Sequence, residues 1–119
     1  MLEEHRSAEL YLAAVKQSGY AISCVPKKFL AMEMCFIAVK EGGVFLSNIP
    51  EEMRTAELCM AAVRENGVVL AVVPDEFKTA ELCLVAIRQS GSNINFVLKH
   101  VPEHLRPEVE AATQKTQRQ

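Results

Sequence analysis

Two histidines, His100 and His104, stand four residues apart, a spacing at which a helix can hold zinc. Pro102 lies between them, so one regular helix does not run through both. Only Glu103 is at hand as a further ligand, and a closed zinc site takes about four. We read solvated histidines and expect no metal. Cys35, Cys59 and Cys83 recur at a step of 24 residues. Residues in one slot of neighbouring helices lie about 8–10 Å apart, beyond the roughly 7 Å that a disulfide spans. They read as reduced, buried small hydrophobes, and Cys24 falls in another slot. Glu9, Glu33, Glu57 and Glu81 keep the same 24-residue step. Carboxylates so spaced are too far apart to work as an acid/base pair, and negative charge at a helix start accounts for them. No phosphate-binding glycine loop, HExxH or CxxC is present, and Gly42-Gly43 reads as a helix end. We expect no catalytic residue, no cofactor and no enzyme.

One further set of charges recurs. Lys16, Lys40, Arg64 and Arg88 also fall 24 apart, one basic residue per copy. If the copies stack regularly, the four cations form a ladder with spacing near 10 Å, which an extended acidic peptide or a phosphorylated segment can follow. A cation at a helix C-terminus is favoured without any partner, so the ladder also has a purely local explanation.

The elements that must position these residues follow from the same period. Gly19, Gly43, Gly67 and Gly91 keep it, as do Pro26, Pro50 and Pro74, while Pro102 departs by four. Such a step marks stacked supersecondary units. In the third copy, Thr55 to Lys78, Thr55 is a candidate N-cap, Glu57 opens a helix and Arg64 closes it. Gly67 then fits the left-handed position that ends a helix. Ser7 and Thr79 repeat the cap, and Ala31 lacks it. Between these charges the helix is apolar nearly all round, as for one buried on several sides.

The next segment, VVLAVV in this copy, resembles a strand by composition. The four versions, YAISCV, VFLSNI, VVLAVV and FVLKHV, instead keep large apolar residues at the third and sixth places. That three-residue spacing is helical. In the last copy the extra Ser92-Asn93-Ile94-Asn95 adds about one helical turn. Proline then opens a short connector, with an apolar plug three residues on: Phe29, Met53, Phe77, Leu105. The expected fold is all-α: a short α-solenoid of four 24-residue helix-turn-helix repeats, about 7–30, 31–54, 55–78 and 79–106, in a single domain. Residues 107–119 supply a half-repeat cap helix opened by Pro107, then a frayed tail from Gln114.

The wording of the copies, TAELCMAAVRENGVVLAVVPDEFK and TAELCLVAIRQSG, resembles the tandem repeats of the domain-of-unknown-function family numbered 4116. The resemblance covers residues 7 to 106 and implies a helical array of a kind found mainly in bacteria. It implies no activity, cofactor or site residue. The insertion after Gly91 and the Lys27-Lys28 pair depart from the commoner repeat.

Composition narrows the partners. A net charge of −2 speaks against nucleic acid or an anionic membrane, and no apolar run approaches the roughly 18 residues of a membrane span. The charged first residues are unlike a secretory signal, so we expect a soluble, cytoplasmic protein. Leu2 to Arg6 align with the connector Pro50 to Arg54, so the chain is expected to begin inside a connector. The first helix then has no earlier copy over it, and Leu10, Leu12 and Val15 become a candidate association surface, a homodimer through the first repeat being the simplest cover. The leading functional expectation is a module that binds a protein or peptide; the alternative is a self-associating structural unit or a fragment of a longer array.

Overall fold

The computed structural model describes residues 2–118, and side chains for residues 6–112. Among the described residues every regular element is a helix and there is no strand. The α-helices are α1 (Leu2–Gln17), α2 (Met32–Glu41), α3 (Ala56–Glu65), α4 (Ala80–Arg88), α5 (Ile94–Lys99) and α6 (Arg106–Arg118). Each of α1 to α3 is followed by a six-residue 3₁₀ helix, Gly19–Cys24, Gly43–Asn48 and Gly67–Val72. The chain is elongated, 58 × 24 × 17 Å.

Local chemistry explains the long helices. Thr55 Oγ1 accepts the Leu58 N–H at 3.2 Å and Thr79 Oγ1 accepts the Leu82 N–H at 3.1 Å, while Ala31 gives α2 no side-chain cap. On α3, Leu58, Cys59, Ala62 and Val63 are all buried, a stripe at positions i, i+1, i+4 and i+5. Burying one such leucine stabilises by about 1.5–3 kcal/mol. The helices pack in sequence, α1 on α2, α2 on α3, α3 on α4, and α6 takes the next place against α4.

The first helix differs from expectation. It is helical from Leu2, so Ser7 lies inside it and is no cap, and Glu9 is far from its first turn. The connector-like alignment of residues 2–6 fails because this stretch lacks the proline that bends each true connector. At the other end α6 starts one residue before Pro107 and continues through residue 118, so the expected frayed tail is helical that far, and Gln119 lies outside the described residues.

The second segments are helical, and of the tighter 3₁₀ kind. With three residues per turn, side chains at i and i+3 eclipse, which aligns Ile22 with Val25, Leu46 with Ile49 and Leu70 with Val73, all buried. The 3₁₀ helices form a second layer, each packed on the next. In the fourth copy the insertion relaxes the segment into α5, which buries Val97 fully and packs on the 3₁₀ helix Gly67–Val72. Each connector proline, at φ near −60° (−59, −54, −57 and −55), caps a three-residue 3₁₀ turn and is not its first helical residue. The four plugs are half-buried on the core.

Gly19, Gly43 and Gly67 serve close approach, and not the left-handed helix ends expected for them. Among the described residues only Gly91 has a positive φ, 55°. A Cβ on Gly43 would stand 2.3 Å from the Ala62 carbonyl oxygen, and one on Gly67 would stand 1.9 Å from that of Ala86. Each glycine therefore abuts the alanine of the following helix. The Gly67 N–H also donates across this junction to the Gln89 carbonyl at 3.3 Å, and the Gly19 N–H donates to Glu41 Oε2 at 2.7 Å.

Arg54 ties the other side of the junction. Its guanidinium donates to the carbonyls of Ile49 at 2.9 Å, Val72 at 3.2 Å and Ser47 at 3.4 Å, the ends of two successive 3₁₀ helices. Arg106 repeats part of this, donating to Val101 at 3.3 Å and Lys99 at 3.4 Å. Lys78, in the same place, pairs at 3.1 Å with Asp75.

Candidate functional site

Lys16, Lys40, Arg64 and Arg88 lie in the last turns of α1 to α4, exposed and unpaired among the described residues. Beyond that turn begins a feature that sequence reading missed. Tyr20, Val44 and Phe96 hold the first place of the segments YAISCV, VFLSNI and FVLKHV and are exposed large apolar residues. Their signal was available, since the expected three-residue spacing leaves the first place off the buried row. Tyr20 packs edge-on against Phe45 and Phe96 lies 4.8 Å from the His100 ring. His104 is exposed. Among the described residues no group of His, Cys, Asp or Glu could hold a metal ion.

The thiols are sequestered. Cys35, Cys59 and Cys83 are fully buried and unbridged, while Cys24 is free and exposed. Burial pushes all three buried thiols above their ordinary range, Cys59 to about 11, with the Arg54 charge acting weakly against it. A thiolate nucleophile is thereby disfavoured at each position.

Cavities open at the opposite end of the helices, beside the acidic ladder. One, of about 220 Å³, lies between α1 and α2, with Ala8, Leu12, Ala31 and Glu33 in its wall. A second, of about 520 Å³, lies between α2 and α3, with Met32, Phe36, Thr55 and Glu57 in its wall. Every residue in the second set stands 24 positions after its counterpart in the first. The apolar floor is half-buried and the carboxylates are exposed. Lys28 sits 4.9 Å over the Phe29 ring at the first cavity, and Lys27 pairs with Glu52 across two connectors, holding that carboxyl below its usual range chiefly through the hydrogen bond from Lys27. Glu33, Glu51, Glu57, Glu76 and Glu81 are exposed with no partner among the described residues.

The candidate association surface is divided. Leu10 is 69 % exposed, Leu12 is half-buried against the core, and Val15 is fully buried. Val15 therefore cannot contribute to a surface contact, because it faces the same interior as Val39 and Val63. Leu10 contrasts with its counterparts Met34, Leu58 and Leu82, which are 4 %, 0 % and 2 % exposed. Ala14 is likewise exposed where Ala38, Ala62 and Ala86 are buried. In those helices the preceding glycine segment covers this face.

Comparisons with protein-family models, curated proteins and solved structures found no match. Among the described residues no helix is long and apolar enough to cross a membrane.

Proposed function

We propose that this chain is a short α-solenoid of four 24-residue units, capped by α6, that works in the cytoplasm as a non-enzymatic module binding a protein or peptide. The reading includes membership of the repeat family numbered 4116. The observation that carries it is the pair of cavities built from the same unit positions, Leu12 and Glu33 in one, Phe36 and Glu57 in the next. A surface repeated at unit spacing suits an extended ligand. The reactive groups favour no chemistry: the recurring thiols are buried and their acidity is suppressed.

Selection of randomised displayed peptides on the immobilised native chain tests this. Enrichment of a consensus that is lost on a Phe36→Ala, Glu57→Lys variant of unchanged circular dichroism is the expected result. A folded monomer that enriches nothing contradicts it. Self-association is the second reading, favoured by the exposed face of Leu10 and Ala14. It requires a dimer in light scattering that Leu10→Glu turns to monomer.

A further inference from the structure

We infer that the cavities at the acidic end form one groove whose occupant is an extended, cationic peptide segment with an apolar side chain at every third residue. This deepens the binding-module reading and rests on it. The floor is apolar, with Leu12 and Phe36 half-buried in successive cavities and Phe29 closing the first. Such a floor takes apolar side chains and leaves the ligand backbone to run above it. The repeat distance then selects the ligand's form. Neighbouring helices pack about 8–10 Å apart, and a polyproline II segment presents the same face every third residue, about 9.3 Å along its axis. An extended ligand therefore matches the cavities one for one.

Charge selects the residues between the anchors. Glu33 and Glu57 form part of the cavity walls themselves, exposed and unpaired among the described residues. The connectors add Glu51 and Glu76, and Glu81 continues the ladder on α4. Each helix N-terminus offsets roughly half a charge, which leaves the rim acidic. The Lys27–Glu52 and Lys78–Asp75 pairs neutralise locally, and Lys28 occupies the Phe29 ring. The acidic character is thus greatest from the second unit onward, at Glu33, Glu57 and Glu81. The basic ladder, by contrast, lies at the far end of the same helices, beside none of the cavity walls described.

Fluorescence anisotropy with three labelled peptides decides the matter on the full chain. The probe is four repeats of Leu-Lys-Arg. One control replaces its leucines by serine and the other its cations by glutamate. The cationic apolar probe should bind, the serine control should bind at least about tenfold more weakly, and rising salt should weaken the complex. Glu33→Lys with Glu57→Lys should weaken it by about tenfold or more, from two exposed ion pairs replaced by repulsion. Lys40→Glu with Arg64→Glu should not weaken it. Equal binding of the serine control would overturn the apolar anchors. Binding of the glutamate peptide alone, lost on Lys40→Glu with Arg64→Glu, would overturn the groove while leaving a binding module in place. A chain that binds no probe and forms a dimer broken by Leu10→Glu would overturn both.

Discussion

Glycine carries two different burdens in one recurring position. At Gly43 and Gly67 the constraint is a backbone carbonyl of the next helix, 2.3 and 1.9 Å from where a Cβ would stand, and backbone cannot move aside as a flexible side chain can. At Gly91 the space is open and the constraint is the φ of 55° alone. Gly67→Ala should therefore cost about 3 kcal/mol, the upper range for forced overpacking, whereas Gly91→Asn should cost under about 1 kcal/mol, because Asn tolerates the left-handed region. Urea midpoints of the two variants measure the difference, and the reverse order would refute the glycine–carbonyl contact. The thiols give a pH signature. Cys59 ionises near 11 when folded, against about 8.5 in an unfolded chain. Its stabilising contribution is full below that unfolded value and is lost as pH rises toward the folded one, since the unfolded state then sheds its proton first. Cys35 and Cys83 shift in the same direction. Denaturation midpoints should fall between about pH 9 and 11, and less steeply after Cys59→Ala. At neutral pH only Cys24 should label with a thiol reagent in the native protein.

At the scale of the element, the short helices are held by a residue that the repeat pattern conceals. Arg54 satisfies carbonyls at the ends of two successive 3₁₀ helices through three donors. Arg54→Ala should destabilise by about 2–4 kcal/mol, from charge-assisted bonds lost and carbonyls left bare. Arg106→Ala should cost less, since its two bonds are longer and stay within one copy. Chemical denaturation of both variants checks the order. Much of this level was legible in the sequence: Thr55 and Thr79 as caps, the one-turn insertion before α5, and the helical character of segments that look like strands by composition. The three-residue spacing even contained the 3₁₀ geometry, which eclipses side chains at that interval. What escaped were facts of tertiary contact. A glycine after a helix has the same letter whether it supplies a left-handed cap or clearance for a neighbour. Leu2 to Arg6 resemble a connector only in composition, and without a proline they continue α1. The cavities were hidden because Ala8, Leu12, Ala31 and Glu33 meet only when two helices pack.

For the whole molecule, the proposed solenoid would account for both the elongated shape and the doubling of the cavities. Each long helix packs on the next, the short helices do likewise, and α6 and α5 take the corresponding places at one end. The uncovered Leu10 and Ala14 mark the other face of the same junction. Charge is sorted along α2 to α4, acidic in their first turns and basic in their last. The arrangement as a linear array is most directly tested by electron–electron dipolar distances. In a Cys24→Ser background, spin labels on Lys16→Cys with Arg64→Cys, and then on Lys16→Cys with Arg88→Cys, report positions two and three units apart. Cys35, Cys59 and Cys83 stay unlabelled because they are buried. A linear stack predicts that the second distance exceeds the first by about 10 Å, one helix spacing. An equal or shorter second distance would mean that the fourth unit folds back on the first, and would contradict the array.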